Sequence, residues 1–317
     1  MTSFQSNNFT QARVQAFVPE ITFNLDDGHP IEFIHYDEAS QSFTPNESAM
    51  EVIMQYSGNV GLVFNMGEKM GGKSFLLNKT LDISNTQNQF QEKTKSMMLW
   101  TRPLFREEEY LNLFFIDVQG FDHDQNFENF TWLLSFLLGS LILYSSKGIP
   151  TDETLIPFSA LQFVSQNLII SEQPLENEYL LSYYAPKLIW LFKETSELPT
   201  EPDGRPVLLS KLVESYLRDA NVSPVLLATK NFILNTFKDR SYISFSPIRP
   251  RFNDNVAMLS NEYVYSLKIL KEKIYSKAIN KPIDGLTLSS KMVVHFLACI
   301  CELFNKRSPV IFSEVLF

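Results

Sequence analysis

Apolar positions along the chain fall into short unbroken runs, separated by stretches with a helical period. Residues 60–64 (VGLVF), 111–117 (LNLFFID), 141–145 (LILYS) and 187–193 (KLIWLFK) are such runs. Strands buried on both faces have this pattern, as in the middle of a parallel sheet. Between them, residues 45–55, 75–81, 130–138, 153–168, 207–220, 224–237, 262–279 and 289–304 read as helices, the first with Asn46 or Ser48 as N-cap. In the 262–279 helix, Val264, Leu267, Leu270, Ile274 and Ala278 define an apolar face, and Lys268, Lys271, Glu272 and Lys277 a solvated one. Residues 21–24 and 31–35 are expected to pair around the turn Asp26-Asp27-Gly28, and 96–103 and 242–245 are further strands. Residues 85–94, 121–129 and 199–206 are polar and read as loops. Strands alternating with helices predict an α/β fold with a mainly parallel central sheet between helical layers.

The run at 60–64 leads into Gly67-Glu68-Lys69-Met70-Gly71-Gly72-Lys73-Ser74, which is G-x-x-x-x-G-K-[ST]. Five of the eleven glycines of the chain lie between positions 58 and 72. A buried strand fixes where such a loop starts, and glycines let backbone N–H groups turn inward around a polyphosphate. The following helix, opened by Phe75, Leu76 and Leu77, points its positive end at the same anion. Candidate nucleotide contacts here are Gly67, Lys69, Gly71, Gly72, Lys73, Ser74 and Phe75, with Lys73 reaching the terminal phosphates and the Ser74 hydroxyl ligating Mg²⁺. Three more residues follow in nucleotide-hydrolase order. Thr94 sits in a polar loop, where a switch threonine closes on Mg²⁺. Asp117 ends a buried run, placed to hold the metal's water shell. Gly120 completes D-x-x-G and turns its N–H toward a γ-phosphate. The [NT]-K-x-D tetrapeptide that reads guanine in Ras-like enzymes is missing from its usual place.

Composition narrows the class. A net charge of −9 argues against nucleic acid as the main partner, because neutralising phosphates needs an excess of Lys and Arg. Two cysteines, Cys299 and Cys301, make no disulfide framework and suit a reducing compartment. The first eighteen residues are Ser/Gln/Asn/Thr-rich, lack an apolar signal core and read as a poorly ordered tail. Residues 132–144 are too short and too broken by Gly139 and Ser140 to span a bilayer. A cytoplasmic protein without a transmembrane segment is the expectation. His295, Cys299 and Cys301 read as core packing of the last helix, and His123 between Asp122 and Asp124 as part of a mobile switch loop.

The chain resembles the GTPase domain of the guanylate-binding proteins, relatives of the atlastins in the dynamin superfamily. The carrying segments are GLVFNMGEKMGGKSFLLNK at the phosphate loop, EKTKSMMLW and IDVQGFDHDQN at the two switches, NFTWLLSFLLGSLILYSSKG, PKLIWLFKETSEL, DGRPVLLSKLVESYL and ILNTFKDRSYISFSPIRP. The resemblance spans about residues 19–310, leaving 311–317 as a C-terminal tail, and the family's long helical region is not in this sequence. It implies a phosphate-loop NTPase fold, GTP or GDP with Mg²⁺ as ligands, and Lys73, Thr94 and Gln119 in catalysis. Ser74 and Thr94 would be the metal ligands, and a homodimer would form through the nucleotide face, or else protein partners in an assembly would bind. Lys73, Ser74, Thr94, Asp117 and Gly120 match the family pattern. Its catalytic arginine falls on Met70, the acid of its D-x-E-G on Gln119, and a serine before the switch threonine on Glu92. The guanine-reading Arg-Asp pair falls on Lys193-Glu194, and an arginine near the guanine cap on Leu234. The expectation is a Mg²⁺-dependent GTPase of low turnover. The alternative is a degenerate GTPase domain acting as an adaptor, and an ATP-using phosphotransferase is a third reading with no acceptor-binding signature.

Overall fold

The computed structural model describes residues 21–69, 72–85, 87, 89–91, 95–121, 124–170, 174–195, 200, 205, 207–250, 257–283 and 286–311. Met70, Gly71, Glu92, Thr94, Asp122 and His123, together with residues 1–20, lie outside them. The strands of the first half are β1 (Pro30–Asp37), β2 (Ser42–Pro45), β3 (Asn59–Gly67), β4 (Met97–Trp100), β5 (Leu104–Arg106), β6 (Leu111–Val118) and β7 (Gly139–Lys147). They are followed by β8 (Leu168–Ile169), β9 (Lys187–Lys193) and β10 (Arg240–Ser244). All but β8 join one nine-stranded sheet in the order β10-β9-β7-β3-β6-β4-β1-β2, with β5 beside β6. Strands β10, β9, β7, β3 and β6 run parallel, and β4, β5, β1 and β2 continue the sheet antiparallel. The parallel half therefore delivers the ends of β3, β6, β7 and β9 to a single edge.

Helices α1 (Glu47–Met54), α2 (Lys73–Thr80), α3 (Gln125–Leu138), α4 (Ala160–Asn167), α5 (Pro174–Tyr184), α6 (Leu209–Arg218), α7 (Pro224–Thr236), α8 (Asn261–Lys277) and α9 (Ser290–Asn305) cover the two faces. Strand periodicity of two sorts each apolar run between them. Leu62, Phe64, Phe114, Ile116, Ile142, Tyr144, Leu188 and Trp190 enter the core shared with α1, α3, α4, α6, α7 and α9. Val63, Leu113, Phe115, Leu141, Leu143, Ile189 and Leu191 enter the core shared with α2 and α8. The two cores confirm the three-layer reading. The larger is held by aromatic rings: Phe158 lies 4.2 Å from Tyr144, 5.0 Å from Trp132 and 5.1 Å from Trp190 between centroids. Helix starts follow capping chemistry. The side chains of Asn46, Ser223, Ser260 and Ser289 accept from Ala49, Leu226, Tyr263 and Met292 N–H respectively.

Several expectations are corrected. Residues 21–24 make no strand. Phe23 N–H donates to Asp82 and Leu25 N–H to Leu81, while β1 pairs instead with β2 and β4. The apolar side chains Phe23 and Leu25 are buried against the α2 side, so packing rather than sheet pairing holds this segment. The polar stretch at 121–129 turns helical at Gln125, because Asp124 caps the Phe127 N–H at 3.0 Å. The segment 153–168 divides into a 3₁₀ turn, Glu153–Ser159, containing Pro157, and α4. Helix α5 escapes sequence reading because its residues show no clean apolar stripe. On α8, Val264 is exposed, whereas Lys271 is buried and paired with Asp82. On α9, Cys301 is buried but His295 is exposed and Cys299 only half-buried. The buried face of that helix passes through Val293, Phe296, Leu297, Ile300 and Phe304, one step round from His295. Among the described residues no group of three metal-ligating side chains occurs, and no helix is long and apolar enough to cross a membrane.

One buried charge makes a pH-dependent contribution. Lys281 is 6% exposed and donates to the Phe136 carbonyl at the end of α3. Burial pushes its ammonium from 10.5 down to about 7. Between these two values the unfolded chain holds a proton that the folded chain has released, so stability rises as pH increases from 7 to about 10. Lys281→Met should flatten that rise, as measured by urea denaturation at pH 7 and pH 9.5; an unchanged slope would place the lysine in water.

Candidate functional site

The site forms where the parallel strands end. β3 finishes in Gly67, with φ +131°, and an ideal Cβ there would stand 2.1 Å from the Ser145 carbonyl oxygen on β7. Only glycine lets the loop leave the strand so close to its neighbour. Helix α2 begins with Lys73 after Gly72, and no side chain caps it. A Cβ at Gly72 would find nothing within 4 Å. The positive end of α2 leaves its first backbone amides without a side-chain cap, as a group that can meet an anion.

Beneath the loop lies a buried carboxylate. Asp117, near the end of β6, is 5% exposed and accepts hydrogen bonds from Asn65 Nδ2 and from Ser74 Oγ, each at 2.6 Å. Asn65 and Asp117 are register partners across β3 and β6, which sets the first contact, and α2 brings Ser74 in for the second. Burial pushes the Asp117 carboxyl up, opposed by the two donors and by the Lys73 charge. Lys73 is buried and donates to the Glu68 carbonyl at 2.9 Å. Asn65 is a residue that sequence reading missed. Its signal was an amide within the apolar run that precedes the loop.

The D-x-x-G segment is laced to the loop. Phe121 N–H donates to the Gly67 carbonyl at 3.1 Å, and Glu68 and Phe121 form an isolated parallel bridge. At Gly120 an ideal Cβ would lie 2.2 Å from Lys69 Cα and 2.7 Å from Lys73 Nζ, so a side chain there would drive the two segments apart. Gln119 is buried, its N–H donating to the Ser96 carbonyl, while its side-chain Oε1 has no hydrogen-bond partner among the described residues. An unpaired buried carbonyl costs about 1–3 kcal/mol. Thr94 and Gly71 fall outside the described residues. Lys95, which follows Thr94, ion-pairs with Asp124 at 3.0 Å and Glu38 at 2.7 Å, tying the end of that loop to the cap of α3. Phe75 is half-buried on the first turn of α2, and Lys69 is exposed on the loop.

Lys193 ends β9, two strands away from β3, and Glu194 follows it. Lys193 is 9% exposed, and burial followed by repulsion from Lys73 pushes its ammonium down to about 7. Glu194 is exposed, with a left-handed backbone at φ +56°, and pairs with Lys147 Nζ at 2.9 Å. Gly148 N–H donates to the Lys193 carbonyl at 2.7 Å and Thr195 N–H to the Phe245 carbonyl at 3.1 Å, fixing the turn. Glu68, whose carboxyl burial pushes up, accepts the Lys147 N–H at 3.2 Å and so connects the phosphate loop to β7. The residues present fit a magnesium nucleotide. Ser74 and Asp117 are hard oxygen donors side by side, suited to Mg²⁺ directly or through its water shell. The uncapped start of α2 and the charge of Lys73 beside it suit a polyphosphate.

Residues 40–278 match the family described as guanylate-binding protein, N-terminal domain. Human guanylate-binding protein 4 is 22% identical over 196 residues, covering 57% of this chain and 30% of that protein. The matched span thus corresponds to less than a third of the human relative's length. The family match takes in the phosphate loop, Asp117, the D-x-x-G segment and the Lys193-Glu194 turn, and it extends over most of the described sheet. By that match the chain belongs to the guanylate-binding protein N-terminal domain family.

Proposed function

We propose that this domain binds GTP or GDP with Mg²⁺ and hydrolyses GTP slowly. The observation that carries the reading is the buried Asp117 bonded to Ser74 directly behind a G-x-x-x-x-G-K-S loop. In the proposed complex Lys73 neutralises the β- and γ-phosphates, and the amides at the start of α2 bind them. Ser74 and Thr94 ligate the metal, and Asp117 holds its waters. Gly71, Gly72 and Phe75 contribute backbone to the cradle, and Lys69 lies at its rim. The metal, when bound, neutralises charge that develops on the phosphates. Gly120 aims its N–H at the γ-phosphate from beside Lys73, and Gln119 orients water, as a glutamine does in Ras-like enzymes. Lys193 and Glu194 stand at the base end: a carboxylate accepts from guanine N1–H and the 2-amino group, and adenine offers no matching donor pair.

Turnover is the weaker side of the site. Phosphoryl transfer gains about 10³–10⁵ in rate from an arginine on the transferring group, or roughly 4–7 kcal/mol of barrier. Methionine at 70 supplies no such donor, and Gln119 replaces an acid. Binding free energy would then order the loops around Thr94 and Gly120 rather than drive rapid hydrolysis. The same departures support a second reading, a domain that binds nucleotide and serves as an adaptor in an assembly, through a homodimer at the nucleotide face or other protein partners. A cytoplasmic setting fits this use.

Calorimetry tests binding: Lys73→Ala should lower GTP affinity by at least about a hundredfold, and an unchanged affinity would remove the phosphate role. Single-turnover assays test catalysis. Wild-type hydrolysis should be very slow, with Met70→Arg raising the rate, whereas a wild-type rate of tens per minute would mean that another group replaces the arginine.

A further inference from the structure

We infer that Lys147, together with Glu194, reads the guanine edge as a paired donor and acceptor, so that Lys147 is a specificity-determining residue of this site. The inference rests on the nucleotide reading above and extends it to a residue on β7 that nothing in the phosphate loop or the switches assigns.

Three observations converge. First, Lys147 and Lys193 are register partners at the ends of the adjacent parallel strands β7 and β9, so Lys147 and Glu194 share the sheet edge at which β3 ends in the phosphate loop. Ligands of open α/β sheets lie outside the carboxyl ends of the strands, at this edge. With phosphates at the end of β3, the base extends over β7 and β9. Second, Lys147 Nζ and Glu194 Oε2 are 2.9 Å apart, and both side chains are open to solvent, at 70% and 56% exposure. An exposed pair of this kind is weakly held, so each partner can turn to a ligand without leaving a buried charge behind. Third, both backbones are fixed. Lys147 N–H donates to the Glu68 side chain at 3.2 Å, and Gly148 N–H donates to the Lys193 carbonyl at 2.7 Å. Glu194 itself is held at φ +56° beside the Thr195 N–H to Phe245 carbonyl bond. Two mobile charged heads thus sit on rigid stems at the ends of neighbouring strands.

The chemistry of the purine edge decides the ligand. Guanine presents an acceptor, O6, next to a donor, N1–H, followed by the 2-amino donor. An ammonium beside a carboxylate complements this order: Lys147 donates to O6, and Glu194 accepts from N1–H and the 2-amino group. Adenine presents the reverse, an amino donor next to an acceptor nitrogen, so both heads would face groups of their own kind. Hydrogen bonds that involve a charged partner are the stronger class.

The test compares GTP, inosine triphosphate and ATP on the full chain by calorimetry, with Mg²⁺ present. Inosine keeps O6 and N1–H but lacks the 2-amino group. Lys147→Met should weaken GTP and inosine triphosphate by a similar factor of about ten, leave ATP unchanged, and be rescued by Lys147→Arg. Glu194→Ala should weaken GTP more than inosine triphosphate. Wild-type affinity for GTP in Lys147→Met would overturn the inference, while leaving the nucleotide reading intact if Lys73→Ala abolishes binding. Equal losses for GTP and ATP would also overturn it, assigning Lys147 to general attraction of phosphate. A wild-type chain that binds GTP no better than Lys73→Ala would overturn both readings together.

Discussion

A carboxylate sealed beneath the phosphate loop constrains the rest of this fold. Asp117 is buried, so its charge must be met by donors rather than by water. Asn65 and Ser74 supply two at 2.6 Å each, one from the neighbouring strand and one from the helix that follows. That requirement fixes the register of β3 against β6 and the point at which α2 must start. It also fixes the length of the loop, which has to leave β3 at Gly67 and return with Ser74 over the same carboxylate. Loss of either donor leaves a buried acceptor unmatched, at a cost of about 1–3 kcal/mol.

From this point rigidity spreads along the sheet edge by backbone approaches that only glycine allows. Gly67 lies against Ser145 on β7, and Gly120 lies against Lys69 on the loop. The Phe121 N–H to Gly67 carbonyl bond closes the second contact. Segments from β3, β6 and β7 therefore cannot shift independently, because each rests on the backbone of another. The Lys95–Asp124 pair carries the connection on to α3. A displacement at Gly120 is therefore felt at Lys69 and Lys73.

Much of this was legible in the sequence, for identifiable reasons. Strand β9 spans the residues of the apolar run KLIWLFK, because a strand buried on both faces has no other periodicity to compete with. The loop motif was visible because Gly67 packs against the Ser145 backbone and Gly72 takes a left-handed φ of +64°, and both conditions favour glycine. What stayed hidden depended on contacts between distant segments. Residues 21–24 look like a strand by local pattern, yet bonds from Phe23 to Asp82 and from Leu25 to Leu81 hold this stretch as irregular chain. Lys271 sits among polar residues of α8, and only the fold brings Asp82 to it. Asn65 and Lys147 have ordinary neighbours in sequence, and their significance comes from the strand next door.

Burial sets the electrostatics of the site. The protein carries a net charge of −9, and burial at the site disfavours charge of either sign. It raises the Glu68 and Asp117 carboxyls toward neutrality, and it presses Lys193 toward neutrality, with repulsion from Lys73 adding to the effect. Each charged form there is held at a cost that another charge could relieve. A polyphosphate placed before α2 would relieve the lysines and burden the carboxylates, and a divalent cation beside Ser74 and Asp117 would do the reverse. Neither alone suits the whole cluster, whereas the two together offset one another. The proposed metal-complexed polyphosphate fits this pattern, since its anion would offset the lysines and its cation the carboxylates.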